Sequence, residues 1–288
     1  SNTSDRPLYG PGQGSTIGPF LWLLCFILIF LSIGDDVPQV TLSSVNDPAP
    51  LCFIGKAFVD DAGLGTNKGE NHQQLISNLQ TLAQRWEKLL YSTGGALNPS
   101  KCFWFLLSWR WVNGKAVLHT STTAPGNLQM TSEGGSDLIT IPRITAGSTF
   151  RTLGVHISPS GSNTGALKVL TEIVLDYCAI IKGSSLTRQE ALISYIQYLL
   201  PKLRFQPPVL SLTQSECDKL TSMIMSALLP KLHVNRHTAR SIIFGPESHG
   251  GLSLPNLYIT QGTDKLRLFL GHLHTQDRTG KLIHIDMT

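Results

Sequence analysis

Phe58-Val59-Asp60-Asp61-Ala62-Gly63 is the stretch whose reading decides the rest of the chain. A largely apolar run over residues 51–58 leads into two adjacent carboxylates, and a glycine-containing segment leads away from them. That order predicts a strand, a tight turn carrying both Asp residues, and a returning strand. Two carboxylates side by side at a strand end repel one another. A divalent cation bridging them to a phosphate removes that repulsion. Hard oxygen donors suit magnesium, which takes one or two carboxylates and completes its shell with water and substrate phosphates. Two such ions about 3.5–4 Å apart activate an attacking oxygen and stabilise a leaving one. The expected chemistry is nucleotidyl transfer, with Asp60 and Asp61 as the metal-binding pair. The competing reading is a solvated Asp-Asp in a surface turn, where Asp is common because it bonds its own backbone.

Upstream, residues 9–20 read Tyr-Gly-Pro-Gly-Gln-Gly-Ser-Thr-Ile-Gly-Pro-Phe, a turn-rich loop feeding a nearly unbroken apolar run over 21–33. Membrane spans need roughly 18 or more apolar residues, whereas runs of about 10–14 more often mark a buried helix. This run is cut off by Gly34-Asp35-Asp36 and has no flanking Lys or Arg. The expectation is a buried helix, with insertion in a membrane as the alternative. The Gly-rich loop would deliver the helix N-terminus, whose free N–H groups and positive dipole favour a phosphate. Gln13 adds an amide for a base, sugar or phosphate. Residues 34–50 are polar and proline-rich, a loop.

Downstream, apolar residues at 75, 79, 82, 86 and 90 are spaced for a helix over 71–91, which Gly94-Gly95 ends. Asn98-Pro99-Ser100-Lys101 predicts a turn, and Lys101 there is placed to meet a pyrophosphate leaving group. Phe103, Phe105, Leu107, Trp109 and Trp111 alternate with period two, the pattern of a strand whose aromatic side faces a sheet core; base stacking is the other use of such a row. Asn113-Gly114 predicts a hairpin turn with 115–120 returning. Residues 121–136 read as a loop, and 138–145 with 149–157 as a further strand pair, in which Gly154 permits close backbone approach.

After residue 158 strand signals stop. Helical spacing runs over 165–182, and two capping boxes, Thr187-x-x-Glu190 and Thr213-x-x-Glu216, open further helices. A last helix is expected over 258–274. His233 and His237 lie four apart but lack a third ligand, so no metal site is read there. A calcium loop starting at Asp61 fails at Gly63. The net charge of +4 is uneven: residues 1–150 hold nine Lys/Arg against ten Asp/Glu, and 151–288 hold fourteen against nine. A basic helical half fits contact with a phosphate backbone as well as an ordinary solvated face. Five scattered cysteines without C-x-x-C argue against a disulfide framework or zinc site, and fit a reducing compartment, nuclear or cytoplasmic.

Taken in order, these pieces resemble a reverse transcriptase of the non-LTR (LINE-like) retrotransposon type. Gly12-Gln13-Gly14-Ser15-x-x-Gly18-Pro19 resembles the Gln-Gly motif beneath the incoming nucleotide. Phe58-Val59-Asp60-Asp61 resembles the aromatic-x-Asp-Asp box. Gly94-Gly95-x-x-Asn98-x-x-Lys101 resembles the following Gly…Asn…Lys motif, and Leu153-Gly154-Val155 the Leu-Gly element that grips the primer end. Gly250-Gly251-Leu252 resembles the region after the thumb.

The resemblance implies an α+β fold: part of a right-hand polymerase palm, an antiparallel sheet with covering helices, followed by an all-helical thumb-like domain. The implied divisions are 1–158 (partial palm), 159–245 (thumb-like) and 246–288 (C-terminal loop and helix). It implies that Asp60 is the leading ligand of two magnesium ions and Asp61 a secondary one. Gln13 and Gly14 would shape the nucleotide pocket, Lys101 assist the leaving pyrophosphate, and Leu153 and Gly154 position the primer. The implied partners are an RNA template, a DNA primer and deoxynucleotides, with no stable membrane association. Family members carry another catalytic Asp upstream of the Gln-Gly motif, together with template-gripping fingers, and neither is seen here. The expectation is a C-terminal polymerase fragment without activity by itself. A non-catalytic nucleic-acid-binding remnant and a membrane-anchored protein are the alternatives.

Overall fold

The computed structural model describes residues 16–34, 37–44, 50–58, 61–131, 137–275 and 277–287. Helices and small antiparallel two-stranded sheets make it α+β. The chain divides into two compact units, Ser1–Thr145 with Lys281–Thr288, and Ala146–Gly280. The division precedes the boundary read from sequence because a hairpin within 150–157 packs with the helix that follows it.

The first unit opens with α1 (Gly18–Ile33). Pro19 sits in its first turn, where a missing N–H breaks no helical bond. Strands β1 (Val40–Leu42) and β2 (Leu51–Phe53) pair with each other, as do β3 (Gly55–Phe58) and β4 (Asp61–Leu64). The single strand expected over 51–58 is thus two short strands with different partners. Helix α2 (His72–Ser92) starts where the Asn71 side chain accepts from the Gln74 N–H. It ends in a Schellman arrangement: Gly94, at φ +83°, donates to Tyr91 O and Gly95 to Leu90 O.

One core cluster joins α1 to α2. Phe26, Ile29 and Ile33 are buried with Leu82, Trp86 and Leu90, and the Trp86 ring meets Phe26 and Phe30 at 5.5 and 5.1 Å between centroids. This corrects the expectation of a buried helix. α2 covers one side of α1 only, and Phe20, Leu24, Ile27, Leu28 and Leu31 stay exposed on the other. Among the described residues no helix is long and apolar enough to cross a membrane.

Next come β5 (Trp109–Val112) and β6 (Lys115–Leu118), joined by Asn113-Gly114 with φ of +50° and +75°, the left-handed pair of a type I′ turn. β7 (Leu128–Thr131) pairs with β8 (Leu138–Ile141). β7 lies inside what the sequence reads as loop; its Leu128 and Met130 point into a second small core with Ile76, Ala83, Trp104 and Ile141. The aromatic row is also corrected. Phe103, Phe105, Leu107, Trp109 and Trp111 are all exposed, and the buried ring is Trp104. Its indole donates to Ile141 O at 3.2 Å and lies under the Arg143 guanidinium. A shift of one residue exchanges the two faces of an extended segment. Residues 103–107 make one isolated bridge, Trp104 with Arg143, and no ladder.

In the second unit β9 (Phe150–Thr152) and β10 (Val155–Ile157) form a hairpin. So 149–157 folds on itself and is not a partner for 138–145. Helix α3 (Thr164–Gly183) presents Leu170, Val174, Tyr177 and Ile181 to a large core. Thr187 and Glu190 form the anticipated capping box of α4 (Arg188–Ser194). A π turn, Tyr195–Leu199, follows, and then α5 (Leu200–Phe205). Pro201 explains the π turn: its ring has no N–H and crowds the carbonyl four residues back, so the preceding turn widens and Leu200 N–H bonds Tyr195 O. The second capping box, Thr213 with Glu216, opens α6 (Gln214–Lys231), the most thoroughly buried helix. Short α7 (Arg240–Phe244) and long α8 (Leu257–Thr275) follow in this unit, while most of α9 (Arg278–Met287) falls in the stretch Lys281–Thr288 that belongs to the first unit.

Candidate functional site

Of the seven residues singled out by sequence, Gln13, Gly14 and Asp60 lie outside the described residues. The other four are placed. Asp61 begins β4, exposed, directly opposite Phe58 at the end of β3. The aromatic-x-Asp-Asp box therefore spans the connection of an antiparallel hairpin. Gly55 sets how closely the two strands approach, since a Cβ there would fall 2.3 Å from the Gly63 carbonyl oxygen. Ile54 and Leu64, flanking this hairpin, pack on the α1–α2 core. The hairpin thus has its open end packed on that core, with Phe58 exposed at the connected end.

Lys101 closes a short 3₁₀ turn, Pro99–Lys101, that begins when the Asn98 carboxamide oxygen accepts from Ser100 N at 3.2 Å and Ser100 Oγ at 2.6 Å. Lys101 is exposed. Among the described residues no ion pair joins Asp61 to Lys101. Gly18 and Pro19 form the first turn of α1, and no side chain caps that turn. Its N–H groups are free of the competition that a Ser, Thr or Asp cap would bring.

Leu153 and Gly154 are the two apex residues of the β9–β10 hairpin, with φ of +48° and +84°. The pair is a type I′ turn, usually filled by Asn-Gly, and a leucine in its first position is strained. Leu153 is also 51% exposed. The hairpin is fixed from below by a residue that sequence reasoning missed. The buried Gln206 carboxamide oxygen accepts from His156 N–H and from His156 Nδ1, both at 3.2 Å. Phe205, itself exposed, brings its ring edge to 3.1 Å from where a Cβ on Gly154 would lie. One turn earlier Lys202 sits over the Tyr198 ring at 3.7 Å. Neighbouring Arg204 is held by Asp264 through two charge-assisted bonds of 3.0 and 2.8 Å, which raises the guanidinium's already high pKa. The signal for this surface lay in Pro201: a proline inside a helical pattern turns an otherwise regular face.

A second cluster also escaped sequence reading. His72 Nε2 lies 2.9 Å from Ser108 Oγ, the His72 and His119 rings meet at 4.5 Å, and His119 Nδ1 is 3.2 Å from Thr123 Oγ1. Desolvation first, then repulsion from His72 and Arg110, holds the His119 pKa below the ordinary histidine value. The cluster ties α2 to the base of the β5–β6 hairpin.

The chain matches no protein-family model and no curated protein.

For a divalent cation the described part of the Asp-Asp box supplies one solvent-facing carboxylate, Asp61, of the right hard-oxygen type. Among them there is no group of three His, Cys, Asp or Glu that could hold an ion. His233 and His237 add none: His237 Nε2 accepts from Arg236 Nε at 3.2 Å. Two concavities stand out. One is lined by Gln214, Asp218, Lys219 and Met223, the other by Gln73, Ile76, Gln80 and Asn127, and neither includes Asp61, Lys101 or Leu153.

Proposed function

We propose that this chain is part of a reverse transcriptase of the non-LTR type, an RNA-directed DNA polymerase segment comprising part of a palm and a thumb-like helical unit. The observation that carries the reading is the pairing of Phe58 with Asp61, which makes the aromatic-x-Asp-Asp box the end of an antiparallel hairpin. A hairpin end on a packed base holds the Asp61 carboxylate out to solvent, where a phosphate-bound cation can reach it. The exposed, strained Leu153 supports the same reading, because residues held in disfavoured backbone regions concentrate where a ligand is gripped. Asp60 and Asp61 would hold magnesium, which when bound supplies charge stabilisation for in-line phosphoryl displacement. Lys101 would balance charge on the departing pyrophosphate. Leu153 with Phe205 would offer apolar surface to a primer sugar or base, and Lys202 charge to its phosphates.

The test is binding of a fluorescent RNA–DNA hybrid to the chain, followed by anisotropy across a salt series. The expected result is binding that weakens steeply with salt, since released counterions drive it. Lys202→Glu should weaken it further and Asp60→Ala leave it unchanged, while primer extension with magnesium and deoxynucleotides stays at background. Absence of binding at low salt removes the proposal; primer extension by the chain would overturn its reading as an incomplete polymerase.

A further inference from the structure

We propose that the base of the β5–β6 hairpin is a binding site for a phosphate group, built from Arg110, His119, Ser108 and, from the start of α2, His72. The ladder brings three of these to one face. Arg110 pairs with Val117, and the bond from His119 N–H to Ser108 O, 2.9 Å long, extends the ladder by one rung. Side chains alternate along a strand, so Ser108, Arg110 and His119 share one side, while Trp109 and Trp111 take the other. Arg110 and His119 are then diagonal neighbours, close enough for a long side chain to span. Lys115, opposite Val112, continues the same basic side toward the turn. His72 joins from α2: its Nε2 is 2.9 Å from Ser108 Oγ, and its ring meets that of His119 edge to face at 4.5 Å. From the following turn Thr123 Oγ1 lies 3.2 Å from His119 Nδ1. Arg110 is exposed and both imidazoles are half-buried, so the group is sheltered but open to a small ligand.

What the cluster lacks identifies its ligand. Residues 88–132 contain no Asp or Glu. Among the described residues no carboxylate forms an ion pair with Arg110, His72 or His119. Glu70, exposed just before the Asn71 cap, is the acid nearest His72 in sequence, yet the charges that act on the His119 ring are His72 and Arg110, both repulsive. His72 also holds the first helical position of α2, where the macrodipole opposes a cation. Basic groups crowded together at a helix N-terminus without an acid are unfavourable in the free protein, and one bound anion relieves each of these repulsions. Breaks of local electrostatic rules of this kind concentrate at functional sites. The donors are a planar guanidinium fork, two imidazoles and hydroxyls, and the several oxygens of a phosphate can meet all of them. A divalent metal fits poorly: Arg110 repels it, and His72 and His119 are too few ligands to hold it. The site stands on these side chains alone, whether or not the chain is part of a polymerase.

The experiment follows the imidazole Cε1–H signals of the full chain by proton NMR through a pH titration, once in chloride and once in inorganic phosphate at equal ionic strength. His119→Gln and His72→Gln identify the two signals. In chloride, desolvation and the two cationic neighbours hold His119 below the ordinary histidine value. Phosphate should raise its midpoint by about one unit or more, because a bound anion favours the imidazolium. Dimethyl phosphate, which keeps a single charge throughout, separates the two sources of such a group. A stronger response to inorganic phosphate assigns a free or terminal phosphate, and a stronger response to the diester assigns the backbone of a nucleic acid. Arg110→Gln, a change at an exposed position, should weaken binding at least about tenfold by removing a charge-assisted contact, with the far-ultraviolet circular dichroism unchanged. Equal midpoints in chloride and in both phosphates overturn the proposal. So does a shift that Arg110→Gln leaves intact, or binding of zinc by the two histidines with no response to phosphate.

Discussion

Leu153 carries two costs at once. Its φ of +48° is a conformation that L-residues with a Cβ disfavour by about 1–2 kcal/mol, and its exposed side chain recovers little of that by packing. Glycine at this position relieves the backbone and loses almost no buried surface. Leu153→Gly should therefore stabilise the second unit by about 1 kcal/mol, seen as a higher urea midpoint in circular dichroism at 222 nm. Under the proposed primer contact the same variant should bind the RNA–DNA hybrid more weakly. Gain of stability with loss of binding is the signature of a strained contact residue; unchanged binding would reduce Leu153 to a poor turn residue. At this scale the sequence showed which residue types were present but not always which way they point. The row from Phe103 to Trp111 alternates as a strand should, yet Trp104 took the core position. Both faces of that segment are rich in large apolar groups, and pattern alone could not choose between them. Asp61 and Lys101 could be placed at turns from sequence, whereas Leu153 and Gly154, read inside a strand over 149–157, form the apex of a hairpin. The contacts behind them, Gln206 under the hairpin and Phe205 against Gly154, join residues some fifty positions apart, and no local pattern encodes them.

Among elements, those with local chemical punctuation were the ones sequence could fix. Asn71, Gly94-Gly95, Asn113-Gly114 and both capping boxes set their ends through short-range hydrogen bonds that need no partner element. Strand pairing needs a distant neighbour, which is why β7 was missed and 149–157 was given the wrong mate. The Thr213 box offers a quantitative check. Thr213 Oγ1 accepts from Glu216 N–H, while a Glu216 carboxylate oxygen accepts from Thr213 N–H at 2.7 Å and Thr213 Oγ1 at 2.8 Å. Those bonds hold the Glu216 pKa below the ordinary carboxylate range, the Thr213 backbone bond contributing most. A carboxylate whose folded pKa is depressed contributes stability above its unfolded pKa of about 4.3, and that contribution is lost as pH falls through the folded value. Thr213→Ala should destabilise the second unit by about 1 kcal/mol at pH 7, because α6 lies at the centre of its core. At an acid pH, below the unfolded value of about 4.3, the gap between the variant and the parent should narrow, because protonation of Glu216 removes the Thr213 Oγ1 bond that only the parent makes. Urea titrations at the two pH values test both statements; a gap that widens in acid would contradict the cap as described.

For the whole molecule, the contrast between the two units is one of core size. The second unit has one continuous core that includes Leu170, Leu199, Leu203, Leu220, Ile224 and Leu228, all nearly inaccessible. The first has two small clusters, one around Trp86 and one around Trp104, beneath isolated two-stranded hairpins. Hairpins alone are marginal in water, and burial scales with the size of the core that supports them. The first unit should therefore unfold at lower denaturant than the second. The chain provides its own reporters: all five tryptophans, at 22, 86, 104, 109 and 111, belong to the first unit. Most of the helical residues, α3 to α8, belong to the second. Tryptophan emission then follows one unit and ellipticity at 222 nm mainly the other. For a single cooperative domain the two curves would superimpose. Here the emission midpoint should fall at lower urea than the ellipticity midpoint, and the ellipticity curve should show a small early step from α1 and α2. Superimposable curves would mean that the two units share one stability, and the separate cores would then lose their significance as independent folding units.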